Sequence, residues 1–452
     1  MRGTTSEEDD MADREGEGMG RDRRQGRGHR ISTLLLGMCL AWGVTGGAGP
    51  LFAETVIQFA TYGSTVDEWE RMAAAFTRTH PGIQVGVQVY PFGEYIDKIT
   101  TMVASGSPPD LFQTWAQYKS SWVEAGILRD LTPLWQRSSV LKNARIYPFM
   151  LDAASYNGRI YGVPYDYNSE LWFVNLDWLS QRGLSAPREN WTVEEMREMA
   201  QKLTDPAAGV YGATNPVSAG WGQNIQWMIN WTGHGWLSED RTEVLVDDPR
   251  NVEMLQFWYD MEHNLLVTPY PGGFPARGDF WNGGYAMWQG WLSYAFRFGE
   301  TPAYDWGLAL YPAAPGGGQQ AFAQGHMFSI PTNAAHPDEA WQMLEWMGSY
   351  EGQRAIVREN NREPIGPYDD LWTLFFDGLP PRKAEYVRSW LLNVLYGKGY
   401  ARNMTYWNTF PQMNAIMGEH LGNAFAKRVP IANAMAAAAA EMRAVLREHG
   451  AR

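Results

Sequence analysis

The sequence predicts an α/β protein built in two lobes, and three observations carry that prediction. The chain has 452 residues, more than one hydrophobic core usually sustains. Its first patterned stretch (55–90) reads strand, helix, strand, which is a βαβ unit and so a parallel sheet. The same alternation continues down the chain with no Ser/Pro-rich linker to cut it in two, so the lobes are expected to be woven from interleaved segments.

The first strand is "TVIQFATYG" (55–63), ending in a glycine turn. The helix "TVDEWERMAAAFTRTHPG" follows, with Thr65 and Glu68 at capping-box spacing and Val66, Trp69, Ala73 and Phe76 on one face. His80-Pro81-Gly82 stops it, and "IQVGVQVY" (83–90) alternates as a strand. "EYIDKITTMVASGSPPDLFQTW" predicts a helix, a Gly/Pro break and a buried strand at 111–115. "GRIYGVPY" and "ELWFVNLDWL" are strand-like runs, and "TVEEMREMAQKLTDP" repeats the capping box with Thr192 and Glu195. "YDWGLALYPAAPGGG" predicts a strand entering a Pro/Gly loop; "HPDEAWQMLEWMGSYEGQ" predicts a helix with Pro337 near its first turn. From residue 380 the chain is predicted to be mainly helical, closing on the alanine-rich "PIANAMAAAAAEMRAVLREHG".

A net charge of −13 supplies no basic footprint for nucleic acid or for an acidic membrane. At the N-terminus, basic "RDRRQGRGHR" (21–30), apolar "ISTLLLGMCLAWGVTGGAG" (31–49) and then "PLFAET" predict a secretory signal peptide over 1–53, cleaved after Ala53. The single cysteine, Cys39, lies inside that segment, so an exported chain would form no disulfide, thiolate metal site or cysteine nucleophile. A lipid anchor at Cys39 is disfavoured by the bulky Met38 just before it.

Dinucleotide, phosphate-loop, zinc-protease and serine-hydrolase motifs are missing, and the histidines lack metal-ligand spacing, so no cofactor, metal or catalytic residue is expected. Asp166 with Glu170, or Asp67 with Glu68 and Glu70, could supply paired acids for a secreted glycan hydrolase, the alternative from another class.

What remains is aromatic. The chain carries 22 Trp and 22 Tyr, more than packing alone asks for. Trp115 ends the "PDLFQTW" strand, Tyr165 flanks Asp166, Trp221 opens "GWGQNIQWMINWTGHGW", and Trp288 and Trp291 lie in "GGYAMWQGWLSYAF". A sugar ring needs a flat apolar plate beneath its C–H face and amide or carboxylate groups at its hydroxyl edge. These rings supply plates; Asp166, Asn168, Gln223, Asn224 and Gln289 supply edges, and Gly290 lets backbone approach closely. Trp227 and Trp231, four residues apart, are instead expected on one inward helix face, whereas Trp115 and Trp291 are the tryptophans least like core.

Taken in order, these marks resemble the extracellular solute-binding proteins of carbohydrate ABC transporters (family 1), of which maltose-binding protein is the familiar member. The likeness runs through "QFATYGSTVDEWERMAAAFTRTHPGIQV", Pro109-Asp110, "AGILRDLTPL", Pro164 and Asn175 in "YNGRIYGVPYDYNSELWFVN", "GGYAMWQGW" and "IPTNAAHPDEAWQMLEWMGSYEGQR". The resemblance implies the type II periplasmic-binding-protein fold: two lobes, each a mixed, mostly parallel sheet flanked by helices, joined by a hinge of three crossings. It places the crossings near 164–170, 306–314 and 345–353, with an N-terminal lobe of 54–165 and 313–350 and a C-terminal lobe of 166–312 and 351–452. It matches Tyr62, Gly63, Ser64, Trp115, Asn168 and Trp291 to the family's ligand positions. "AMWQGW" is one residue short of the family's usual spacing, which leaves Trp288 or Trp291 as the stacking ring. The implied function is capture of a sugar, an oligosaccharide above all, by an exported monomer that delivers it to inner-membrane permease subunits. The same fold with glycerol phosphate or a polyamine as guest is the further alternative.

Overall fold

The computed structural model describes residues 54–63, 66–217, 223–294, 304–360, 362–404 and 406–450. The first capping box falls partly outside them, at Thr65.

The βαβ reading holds. Strand β1 (Thr55–Tyr62), helix α1 (Asp67–Thr79) and strand β2 (Ile83–Tyr90) follow in order, with β1 and β2 parallel and in register from Thr55↔Ile83 to Tyr62↔Tyr90. Helix α1 buries Trp69, Met72, Ala73 and Phe76, residues whose three- and four-residue spacing puts them on one stripe. Helix α2 (Phe92–Ala104) and the wholly buried strand β3 (Leu111–Thr114) complete the parallel layer on the other side of β1. The Pro-Asp pair before β3 has a structural task. Asp110, almost fully buried, accepts the Gln58 amide of β1 at 2.8 Å and the His336 amide at 2.7 Å, lashing the sheet to a helix 226 residues further on.

Helix α3 (Ala116–Glu124) starts directly after Trp115, and helix α4 (Pro148–Ala154) precedes strand β4 (Val163–Asn175). The two runs expected as separate strands, "GRIYGVPY" and "ELWFVNLDWL", supply the start and end of this one strand of 13 residues; Arg159–Ile160 forms a short strand of its own with Ser155–Tyr156, and the second run ends in helix. Strand β4 stops because the Asn175 side chain accepts the Trp178 amide and starts helix α5 (Leu176–Gln181). Helix α6 (Val193–Leu203) carries the expected capping box of Thr192 and Glu195. Helices α7 (Gln223–Thr232) and α8 (Pro249–His263), then strands β5 (Met287–Trp291), β6 (Trp306–Ala309) and β7 (Ala321–Ser329), lead to helices α9 (Pro337–Met347) and α10 (Tyr350–Asn360). The remainder is helical as read, with α11 (Asp369–Phe375), α12 (Pro381–Trp390), α13 (Phe410–Phe425) and α14 (Ile431–His449), broken by a three-residue strand β8 (Ala401–Asn403).

The strands run β2-β1-β3-β7-β4-β5 across the sheet, with β8 added to β7 and β6 to β4. It is mixed, as expected, but its parallel part is confined to β1–β3 and the β7–β8 pair; β5 and β6 both lie antiparallel to β4. The first 90 residues announced a parallel pattern that the second half does not keep.

Two bodies of core form around this sheet. The first holds Phe59, Trp69, Phe76, Val163, Tyr165, Phe328 and Ile356, with an aromatic annex around Trp115 and Tyr95. The second, larger one holds Leu171 to Val174, Trp191, Trp227, Trp258, Trp306 and the faces of α13 and α14. Strands β4 and β7 belong to both. Along β4, Val163 and Tyr165 sit in the first core and Leu171 to Val174 in the second; along β7, Phe328 sits in the first and Phe322 in the second. Between them, Tyr167, Ala323, Met150 and Ile365 make a small cluster of their own. Strand β4 thus contributes to one core at its start and to the other at its end. Residues 306–314 lie with the second core and β7 reaches both, while α9 packs in the first core and α10 touches both, with Ile356 in the first and Val357 in the second.

Candidate functional site

In a strand, alternate side chains share a face. Asp166, Asn168 and Glu170 on β4 therefore line one side of the span between the cores, and their cross-strand neighbours on β7 are His326 and Gln324, opposite Asp166 and Asn168. His326 Nδ1 donates to Asp166 Oδ1 at 2.7 Å, while its Nε2 accepts from Gln324 Nε2 at 3.2 Å, an arrangement that fixes the Nδ1–H tautomer. Gln324 exchanges two amide hydrogen bonds, both 3.0 Å, with Gln117 in the first turn of α3. Polar contacts thus run unbroken from the floor of the span to the helix that begins at Trp115.

The second half answers with its own network. Glu170 Oε2 accepts from Gln289 Nε2 at 2.7 Å and from the Tyr311 hydroxyl at 2.9 Å; its Oε1 accepts from Gln223 Nε2 at 3.0 Å. The Trp227 indole donates to Gln289 Oε1 at 3.1 Å. Burial, and then the neighbouring Glu170 carboxylate, push the Tyr311 hydroxyl well above its usual range, so it stays a donor. Asn168 and Ser293 hold each other through Asn168 Nδ2 to Ser293 Oγ at 3.0 Å and the Ser293 amide to Asn168 Oδ1 at 3.3 Å.

The stacking question resolves by strand alternation. Trp291 lies opposite Glu170 on the Gln289 face of β5, with its ring 5.3 Å from Phe322 and half-buried. Trp288 points the other way into a group with Phe173 at 5.2 Å, Trp281 at 4.9 Å and Phe280 at 5.8 Å. Gly290 serves that packing: a Cβ there would stand 1.9 Å from the Trp288 ring. So Trp291 faces the polar network, and Trp288 and Gly290 build wall behind it.

Other expected residues divide. Tyr62 and Gly63 sit at the carboxyl end of β1, where ligands of parallel sheets are held. Trp115 is only 3% exposed, stacked on Phe92 at 4.8 Å with Tyr62 edge-on at 5.1 Å, and so is one ring of an aromatic annex, contrary to the expectation that it is least like core. Tyr165 is corrected outright: alternation turns it away from Asp166 into the first core, 4.3 Å from Phe328, with no exposed surface. Ser64 and Trp221 lie outside the described residues. Trp227 and Trp231 are buried on one helix, as read.

Sequence reasoning passed over Gln117, Tyr311, Gln324, His326 and Arg362. The signal for two of them was present: in "AFAQGHMFS" the polar Gln324 and His326 alternate within an otherwise apolar strand.

The paired-acid alternative meets two obstacles. Asp166 and Glu170 are four strand residues apart, about 13 Å along the chain, wider than the about 5–10 Å that glycosidic chemistry uses. Asp67, Glu68 and Glu70 sit in the first turn of α1, where acidic side chains favour the helix terminus. Among the described residues no helix is long and apolar enough to cross a membrane.

The chain is similar to several known proteins. The arabinooligosaccharide-binding protein of Bacillus subtilis (strain 168) is 24% identical over 358 residues, 76% of this chain and 79% of that protein. The mannitol-binding protein of Pseudomonas aeruginosa is 26% identical over 217 residues, 46% of this chain and 47% of that protein. An ABC substrate-binding protein of Listeria monocytogenes, in complex with cycloalternan, superposes with a TM-score of 0.77 at 20% identity, covering 87% of this chain and 99% of that one. Maltose-bound MalE3 of T. maritima gives 0.72 at 20% identity, covering 87% and 100%. These likenesses are to two-lobed type II binding proteins, the fold expected. The sequence profile of the bacterial extracellular solute-binding proteins matches residues 62–354, about two thirds of the chain, and to that family this chain belongs.

Proposed function

We propose that the protein is an exported, non-catalytic receptor that closes on a sugar or polyol between its two lobes and hands it to the permease subunits of an ABC transporter. One observation carries the reading. Amide and carboxyl groups from both halves, Gln117 on one side and Asn168, Glu170, Gln223 and Gln289 on the other, meet across the two strands that join the cores, with the Trp291 ring beside them. That is hydroxyl-edge and ring-face chemistry in one place. Only contacts made by both lobes favour a closed over an open form. Sugars and polyols in the names of the relatives support the ligand class.

The lobes of this reading are 54–165 with 313–350 and 166–312 with 351–452; α10 lies at their junction, with Ile356 in the first core and Val357 in the second. Residues 1–53 would be removed at export, leaving a free monomer in the periplasm or at the outer face of the cytoplasmic membrane.

A thermal-shift screen of the chain from residue 54 against mono- and oligosaccharides and polyols tests this. A true ligand at a hundred times its Kd raises stability by about 2.7 kcal/mol. A panel in which no sugar or polyol shifts the melting point overturns the proposal.

A further inference from the structure

We infer that the saccharide taken by this site carries a carboxylate, and that Arg362 receives it; the inference rests on the sugar reading above and narrows it. Arg362 lies where the chain comes back between the two cores after α10. Its guanidinium stands over the Trp69 ring at 6.0 Å, and Nη1 is 3.8 Å from Asp166 Oδ2, an ion pair too long to be a hydrogen bond. The other Asp166 oxygen is already taken by His326. Arg362 Nε is buried and has no acceptor among the described residues.

Four more exposed arginines are paired closely, and Arg388, whose Nε is also buried without a partner, still reaches Asp369 at 3.2 Å. Arg159 meets Asp130 at 2.8 Å, Arg182 meets Asp205 at 2.6 Å, Arg71 meets Glu359 at 2.9 Å and Arg443 meets Asp247 at 2.8 Å, all with side chains more exposed than Arg362. Exposed pairs contribute little, yet they are close; the arginine that most needs an acceptor is held short of one. A guanidinium presents five N–H donors in a planar fork, and withdrawing it from water with a donor unmet is costly. A fork of that shape matches a carboxylate through two parallel bonds.

Position supplies the second argument. Tyr165 and Asp166, and then Tyr62 at the carboxyl end of β1 and Glu68, lie within electrostatic reach of Arg362. The carboxyl ends of parallel strands are where a ligand enters an α/β sheet. An incoming anion there meets one cation and two carboxylates, so it is admitted only where the guanidinium edge is nearest, which makes Arg362 a filter as well as an anchor. A uronic-acid residue satisfies these terms: hydroxyls for the amide network, a ring face for Trp291 and one planar anion for Arg362.

Isothermal titration of the chain from residue 54 with glucuronate, galacturonate and their oligomers, beside glucose, galactose, their oligomers and glucose 6-phosphate, tests the inference. The acidic sugars are expected to bind at least about tenfold tighter than their neutral parents, a preference that weakens with added salt. Arg362→Gln should erase the preference and Arg362→Lys restore part of it, with melting curves confirming that both variants fold. Should Arg362→Gln fail to fold, the parent's own ranking of acid against neutral sugar decides. Neutral sugars binding as tightly as acids would overturn the inference and leave the sugar reading standing. Glucose 6-phosphate binding best would overturn the choice of carboxylate. Binding by no saccharide of either kind would overturn both.

Discussion

Two carboxyls flank the strands that join the halves, and they are provisioned in opposite ways. Glu170 on the front of β4 is 3% exposed and receives three side-chain donors, from Gln289, Gln223 and Tyr311. Glu363, 2% exposed, lies behind with Tyr167 and Tyr396, and its one side-chain donor is the Tyr396 hydroxyl at 2.7 Å; its Oε1 has no partner among the described residues. Burial first, and then the Asp166 charge, push the Glu363 carboxyl well above the usual range. The difference teaches that burial alone does not set the character of this layer, because two equally buried carboxyls differ in the donors they receive. The front is furnished to hold polar and charged groups, the rear has fewer donors to offer.

The largest effect should follow from emptying the front. Glu170→Ala removes the acceptor shared by Gln223, Gln289 and Tyr311; Gln289 keeps the Tyr311 hydroxyl at 2.8 Å, so the Gln223 and Tyr311 donors are left unmet, and each buried polar group left unmet costs about 1–3 kcal/mol. A loss of about 4 kcal/mol in a urea titration is expected, while Glu170→Gln, which keeps two acceptor directions, should lose far less. Equal losses for the two would show that shape rather than hydrogen bonding is at work.

A carboxyl remote from this layer sharpens the contrast. Glu262, on α8, is 6% exposed and has one amide donor, Asn215 at 2.8 Å, so burial pushes it from 4.5 to about 7. The fold keeps a proton there that the unfolded chain loses near pH 4.5. Stability should therefore fall as pH rises from about 4.5 to 7 and level off above, by at most about 3 kcal/mol for this group. Glu262→Gln removes that slope, and urea midpoints at pH 5 and pH 8 measure it. A parent and variant that fall in parallel would mean that Glu262 is ionised in the fold.

Much of this was legible from residues alone. The βαβ start, the Thr192 cap and the inward pair Trp227 and Trp231 follow from short-range periodicity, which a sequence states directly. Strand direction in the second half and the passage between cores at β7 depend on which distant strand each segment meets, and no local pattern encodes that. The site divides along the same line. Asn168, Gln289 and Trp291 share faces that alternation predicts, whereas Arg362 became visible only when the chain folded back beside Asp166. Tyr165 was misplaced because two neighbouring residues of one strand were assigned to one side.

Strand β5 offers the next test, since its two faces divide two tryptophans. Trp291→Ala should lower ligand affinity by about 2 kcal/mol, the scale of a buried aromatic anchor, with little change in melting point. Trp288→Ala should do the reverse, because its ring is held by Phe173, Phe280 and Trp281. If Trp288→Ala abolishes binding in a protein that still melts as the parent does, the faces have been assigned backwards.

The smallest change asks whether the front floor touches ligand at all. Asn168 is half-buried and its two bonds go to one residue, Ser293. Water can replace a partner at such a depth, so Asn168→Ala should cost no more than about 1 kcal/mol of stability. Its effect on binding should be larger than that exposure suggests, about tenfold, or 1.4 kcal/mol, because a closed cleft would exclude the water that rescues the free protein. Titration of parent and variant with whichever sugar the thermal screen selects reads the two numbers separately. A variant that loses stability and affinity in equal measure would place Asn168 in the framework only, and would move the ligand off the strands that join the two halves.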